Sequence, residues 1–211
     1  MQEDISNLSK RWDLAIKSAD QAQLLQASGD DIKSWSMSLD LEKEFRELIE
    51  LDQDIRIDHA MYFGVFMRDF ANRAYWNGDS ILSTRLLEES IHQLIGIVVE
   101  HPDSKAVLNE LAMSYYYYWK HNDETLPDQF ATGWLTSAKE ALSLQGCSDL
   151  DIASRLSVMD EEKDEARTHV SRLIESGYRE PEFKRFCLEF GLCTTQGYEM
   201  KATTTLLSDK P

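Results

Sequence analysis

The feature that most constrains the fold of this chain is the spacing of its apolar residues, which recur every three or four positions along most of its length. In the first segment Ile5, Leu8, Trp12 and Ile16 follow this spacing. Steps of three and four place side chains on one face of an α-helix, whereas a strand would require strict alternation. The pattern therefore predicts an all-α fold in which each helix buries one apolar stripe.

Polar turns divide this pattern into pairs of antiparallel helices. Turns at 28–30 and 77–79 both contain Gly-Asp, in which Gly can end one helix and Asp can cap the next. The predicted pairs cover about 3–52, 56–100, 103–145 and 149–177, and a capping helix follows at 181–190. We therefore predict one helical-repeat domain over residues 1–193. Residues 194–211 are polar, lack a helical period and are predicted to form a disordered tail.

Composition and charge exclude several classes of protein and partner. Only 9 Gly and 4 Pro occur in 211 residues, which is too few for a turn-dense β-sandwich. Thirty-eight acidic against 22 basic side chains give a formal charge of −16, a field that repels phosphate backbones and anionic lipids. Nucleic-acid binding and membrane insertion are therefore not expected. The charge serves solubility or, as the alternative, forms an acidic docking face for a basic partner.

The cysteines and the N-terminal segment bear on the compartment. The chain contains an odd number of cysteines without CxxC spacing, namely Cys147, Cys187 and Cys193. This pattern favours a reducing environment. Cys187 and Cys193 are predicted to be buried apolar fillers and not reactive thiols. The given sequence contains neither a signal peptide nor an apolar span of bilayer length. We expect a cytoplasmic protein, or the soluble part of a larger membrane-anchored one.

A search for catalytic or metal-binding patterns leaves one weak candidate. The chain has no His-Glu-x-x-His, no Gly-x-Ser-x-Gly, no phosphate-binding glycine loop and no zinc-type cysteine cluster. Glu89 and His92 have the i, i+3 spacing of di-iron helix bundles, but a second Glu-x-x-His is missing. We therefore expect no cofactor and no enzymatic activity. The alternative is a small all-α enzyme or metal-binding protein that uses Glu89 and His92.

Several segments resemble a known family of helical repeats. Residues 71–79, Ala-Asn-Arg-Ala-Tyr-Trp-Asn-Gly-Asp, resemble the end of the first helix of a tetratricopeptide repeat, and 87–102 resemble its closing stretch before Pro102. Residues 106–119 match the opening helix again, and 164–183 resemble the last repeat in the helical-repeat tails of bacterial signalling proteins, including kinase-like ones. The resemblance implies helix pairs stacked as a right-handed superhelix, an α-solenoid, and a function in protein–protein interaction or regulation.

The resemblance also implies a binding groove formed by first helices, here about 56–76 and 104–119. Five consecutive aromatic residues at 115–119 must wrap around a helix, because successive residues are 100° apart. We therefore expect one or two of these rings, Tyr116 or Tyr117, to point away from the core. The partner is expected to be a protein or peptide of basic or amphipathic character, and self-association through exposed aromatic rings is the alternative. The candidate groove residues are Tyr62, Phe66, Arg73, Asn109, Tyr116 and Tyr117.

Overall fold

The computed structural model describes residues 2–52, 55–123, 132–142, 146–195 and 198, and all regular secondary structure within them is α-helical. The all-α prediction is confirmed for this part of the chain. Most of the predicted tail, 194–211, lies outside the described residues. In the described part, no helix is both long and apolar enough to cross a bilayer. The helices are α1 (Gln2–Ala27), α2 (Asp31–Leu51), α3 (Ile57–Trp76), α4 (Ser80–Glu100), α5 (Lys105–His121), α6 (Thr132–Ala141), α7 (Cys147–Met159), α8 (Lys163–Glu175) and α9 (Pro181–Glu189).

The chain divides into two compact units, residues 1–125 and 126–211. The first unit contains α1 to α5, and the second contains α6 to α9. The sequence-based prediction of one domain over residues 1–193 stays a prediction. In the first unit, α3 is central because it packs against α1, α2, α4 and α5.

The two Gly-Asp turns of the first unit have the local geometry that the sequence predicts. Gly29 and Gly78 have φ angles of 84° and 82°, a region that a residue with a Cβ rarely adopts. Asp30 accepts a hydrogen bond from the Lys33 backbone N–H, and Asp79 accepts one from the next helix in the same way. Each turn therefore ends one helix and caps the following one.

The core of the first unit combines aromatic clusters with a close helix contact. Phe45 of α2 lies 4.7 Å from Phe66 of α3, measured between ring centroids. A Cβ built on Gly64 of α3 would lie 2.9 Å from the Leu94 side chain of α4, so these helices approach more closely than any larger residue allows. The Ser90 hydroxyl donates to the Gly64 carbonyl at 2.7 Å across the same contact. Gly64 is therefore a packing residue.

A buried histidine joins α4 to the end of α5. His121 Nδ1 lies 3.0 Å from the Ser83 hydroxyl, and its ring stacks on Tyr75 with centroids 3.9 Å apart. Burial, with a smaller contribution from Lys120, lowers the pKa of His121 to about 3. The ring is therefore neutral at physiological pH.

The second unit has its own core and a covalent crosslink. Arg155 of α7 is 3% exposed, lies 2.9 Å from Asp151 and covers the Phe186 ring of α9 at 4.7 Å. Cys187 is fully buried, as predicted, but Cys193 is only half-buried, and the expectation that both are unbonded apolar fillers is wrong for this structure. Cys187 and Cys193 form a disulfide, with Cα atoms 5.4 Å apart. Helix α9 ends at Glu189, and Gly191 at φ 64° turns the chain back so that Cys193 reaches Cys187.

Candidate functional site

An open cleft of about 530 Å³ lies in the first unit, between α2, α3, α4 and the connection from α2 to α3. We call it the α2–α4 cleft. Its volume falls within the roughly 300–1,000 Å³ of typical ligand pockets. The apolar part of its surface is formed by Ile55, Ile57, Ala60, Phe63 and Ile97. The polar part is formed by Arg46, Glu89, His92, Gln93, Glu100 and His101, and Gly96 completes the lining.

Helix α4 forms the longest wall of the cleft. Glu89, Gln93, Gly96 and Glu100 follow one another at steps of three and four and therefore share one helix face. From Glu89 to Glu100 the axial distance is about 16 Å at 1.5 Å per residue. A helix of about 11 residues, or about five residues of extended chain, would match that length.

Gly96 leaves the middle of this wall without a side chain. It lies inside α4 with no positive φ, and a Cβ built on it would have no neighbour within 4 Å. Gly in a helix interior costs about 1 kcal/mol relative to Ala. The packing at Gly64 requires glycine, but nothing in the packing of the described residues requires it at Gly96.

Ion pairs between α2 and α4 lie at one end of the cleft. Arg46 Nη2 lies 2.9 Å from Glu42 and 2.5 Å from Glu89, and Arg85 lies 3.0 Å from Glu42 and 2.8 Å from Glu89. Burial alone would raise the pKa of Glu42, but hydrogen bonds from Arg46 and Arg85 outweigh it and hold the pKa below its usual range. This end of the cleft is therefore locally neutral, with two carboxylates balanced by two guanidinium groups.

The same network determines what Glu89 and His92 can do. Both residues line the cleft, because residues three apart on α4 lie on the same side of the helix. However, Glu89 Oε1 accepts from Arg85 and Glu89 Oε2 accepts from Arg46, so both oxygens are engaged by cations. A metal ion would have to displace a guanidinium group from each oxygen that it used. Within the described residues, no group of three or more His, Cys, Asp or Glu side chains is arranged to hold a metal ion.

The opposite end of the cleft has a different electrostatic character. Glu100 is the last residue of α4, the last turn contains no basic residue, and the His101 backbone N–H closes the helix on the Ile97 carbonyl at 2.8 Å. In the described part of the chain, Glu100 has no ion-pair partner. Helices α3 and α4 are consecutive and meet at Gly64 and Leu94, so Ile57, the first residue of α3, lies toward this end of the cleft, and it is 43% exposed. An exposed apolar side chain thus lies in the same cleft as a carboxylate that forms no ion pair with any described residue.

The predicted groove on α3 and α5 is not supported by the positions of its aromatic residues. Phe66, Tyr116 and Tyr117 are 2%, 0% and 6% exposed, so the expectation that Tyr116 or Tyr117 points outward is wrong. The expectation assumed that one face of α5 is free, whereas all residues from 114 to 119 are buried. Tyr116 packs edge-on against Tyr117, with centroids 5.3 Å apart.

The other predicted groove residues also differ in exposure. Arg73 is 3% exposed near the end of α3, and Tyr62 and Asn109 are half-buried. The Tyr62 hydroxyl donates to Asp20 of α1. Burial, followed by this hydrogen bond, raises the pKa of Tyr62 well above its ordinary value. Tyr62 thus ties α1 to α3.

Comparison of the chain with protein-family models, curated proteins and solved structures finds no match. The functional argument therefore depends on the cleft itself. Sequence reasoning missed Ile55, Ile57 and Gly96, although a signal existed for each. Ile55 lies in an otherwise polar connection, Ile57 follows it as the first residue of α3, and Gly96 interrupts a helix that is apolar on both sides of it.

Proposed function

We propose that this protein binds a short segment of another polypeptide in the α2–α4 cleft. The segment would place one large apolar side chain, its anchor, against Ala60 and Phe63, opposite Gly96. Volume, length and lining support this proposal, since ligand sites are mostly apolar concavities with a few polar groups at their margins. Partner helices with apolar anchors are a common way to fill such grooves.

The observation that carries the proposal is the glycine in the wall. Gly96 lowers the stability of α4 by about 1 kcal/mol relative to Ala, and no neighbour within 4 Å prevents a side chain there. A side chain at this position would project into the cleft. A ligand that occupies this space would explain the glycine at position 96. Glycine is the usual residue where a ligand approaches the backbone closely.

We also propose that α1 to α5 stack as tetratricopeptide-like hairpins. Contacts between equivalent helices join residues at a nearly constant separation, which supports this arrangement. Asp20 of α1 bonds Tyr62 of α3 with a separation of 42, and Arg68 of α3 bonds Glu110 of α5 with a separation of 42. Arg46 of α2 bonds Glu89 of α4 with a separation of 43. In such a stack the α2–α4 cleft lies between successive second helices.

The test is selection of a phage-displayed library of random peptides of about 11 residues, a length that spans the cleft wall. The chain is compared with its Gly96→Trp variant, in which the indole would occupy the middle of the cleft wall where the anchor is expected. Ile81→Trp is the matched control, because Ile81 is 84% exposed on the same helix and about 22 Å from Gly96 along its axis. Circular dichroism and thermal unfolding establish that both variants fold.

We expect peptides that bind the unaltered chain and Ile81→Trp but bind Gly96→Trp at least tenfold more weakly. Peptides that bind all three proteins equally would place recognition outside the cleft and would refute the proposal. Failure to enrich any peptide that distinguishes Gly96→Trp from the control would refute it as well.

A further inference from the structure

The two ends of the α2–α4 cleft differ in charge, and this difference bears on the kind of peptide that the cleft accepts. At the Arg46 end, both oxygens of Glu89 accept hydrogen bonds from arginine side chains. At the other end, the Glu100 carboxylate has no ion-pair partner among the described residues. A ligand cation therefore gains attraction at Glu100, whereas at Glu89 it would meet two arginines.

The end of α4 strengthens the field at Glu100. The last carbonyl groups of a helix carry a partial negative charge, which a basic residue in the last turn usually offsets. The last turn of α4 has no basic residue and has Glu100 instead. The negative charge of the Glu100 carboxylate and the negative end of the helix dipole therefore lie at the same place. This arrangement is unfavourable for the helix alone and favourable for a bound cation.

Ile57 provides an apolar surface beside this site. Its side chain is 43% exposed and lines the same cleft as Glu100. Lys and Arg side chains commonly lay their methylene stems along apolar surface and keep the charged group in a polar region. Ile57 and Glu100 together match the two parts of such a side chain.

The distance from the anchor position limits where the basic residue lies in the ligand. Gly96 and Glu100 are four residues apart on α4, which is about 6 Å along the axis. A helical ligand covers this distance with residues three or four apart, and an extended ligand covers it with residues two apart. Both cases place anchor and cation on the same side of the ligand.

We infer that the α2–α4 cleft recognises a basic amphipathic peptide, in which an apolar anchor opposite Gly96 is accompanied about 6 Å away by a Lys or Arg whose charge faces Glu100. This inference rests on the proposed function. The net charge of −16 favours the same class of partner, because it accelerates the approach of basic peptides at low ionic strength.

The test uses the peptides that depend on the cleft, meaning those that bind Ile81→Trp but not Gly96→Trp. Their sequences should contain Lys or Arg two to four residues from a large apolar residue. Their affinity for Glu100→Gln should be about fivefold lower than for the unaltered chain, the upper range for an accessible ion pair. Glu100→Lys should reverse the charge preference, so that selection on this variant enriches Asp or Glu at the same spacing.

Asp103→Asn is the matched control for general charge. Asp103 is exposed, lies three residues beyond Glu100 and does not line the cleft, yet its replacement changes the net charge by the same amount. We expect its peptide affinities to stay within about twofold of those of the unaltered chain at physiological ionic strength, since a solvent-exposed charge that does not contact the ligand contributes little to binding in salt. An equal loss for Asp103→Asn and Glu100→Gln would overturn the inference in favour of a diffuse charge effect.

The outcomes separate this inference from the function on which it rests. Cleft-dependent peptides without an enriched basic residue would overturn the inference and leave peptide binding intact. Absence of any cleft-dependent peptide would overturn both. Thermal unfolding of Glu100→Gln should match or slightly exceed that of the unaltered chain, because the substitution removes a carboxylate from a helix C-terminus. Weaker binding by a fully folded variant would then be a direct effect on recognition.

Discussion

Replacing Gly64 with Ala tests whether α3 and α4 interlock as tightly as their geometry indicates. The added Cβ would lie 2.9 Å from Leu94 Cγ and 3.1 Å from Leu94 Cδ2. Leu94 is fully buried, so its side chain cannot move aside without repacking its neighbours. Overpacking of this kind costs about 1–3 kcal/mol, and the better helix propensity of Ala offsets about 1 kcal/mol of it. We therefore expect the free energy of unfolding to fall by about 1 kcal/mol.

Gly96→Ala is the matched control, because the same substitution there meets no atom within 4 Å. It should raise the free energy of unfolding by about 0.5–1 kcal/mol. Urea unfolding followed by circular dichroism at 222 nm measures both changes against the unaltered chain. In a Leu94→Ala background the cost at Gly64 should disappear, since the cavity accepts the methyl group. Equal stabilisation by Gly64→Ala and Gly96→Ala would refute the account of the α3–α4 contact.

Three further predictions concern buried groups. The free energy of unfolding should fall as pH drops from about 6.5 to about 3, because in this range His121 binds a proton in the unfolded chain but not in the folded one. Urea unfolding at a series of pH values measures this change, and His121→Phe should make it smaller. Thiol titration of the denatured, unreduced protein should detect only Cys147, and reduction of the Cys187–Cys193 bond should lower the free energy of unfolding of the second unit by about 2 kcal/mol in denaturant titrations. Arg155→Met should destabilise that unit by about 2 kcal/mol in the same titrations, because it removes the charge-assisted hydrogen bond to the half-buried Asp151 carboxylate, which then keeps the hydrogen bond from the Tyr178 hydroxyl.

The parts of the fold that could be predicted from sequence are those set by neighbouring residues. Gly29 and Gly78 end helices because glycine alone readily adopts their φ angles, and the following aspartates cap the next helices through contacts three residues away. Helix spacing of apolar residues is equally local. Helix bounds therefore agree within a few residues wherever the structure describes both ends.

The cleft could not be predicted because it depends on contacts between distant residues. Glu42 and Arg85 are 43 positions apart, and no local pattern indicates that they meet. For Tyr116 and Tyr117, the error has a similar origin. The angular spacing of five aromatic residues fixes where each points around α5, but it does not fix how many sides of that helix are covered.

The four charged groups that join α2 to α4 also limit how the two hairpins can slide past each other. Glu42 faces Arg85 and Arg46 faces Glu89, so both helices run in the same direction with matching order of charge. A slip of one helical turn would bring Arg46 against Arg85 in one direction, or Glu42 against Glu89 in the other. Apolar stripes tolerate such displacement far better than like charges do. The ion pairs thus favour one axial register of α2 against α4. The dimensions of the cleft follow from that register.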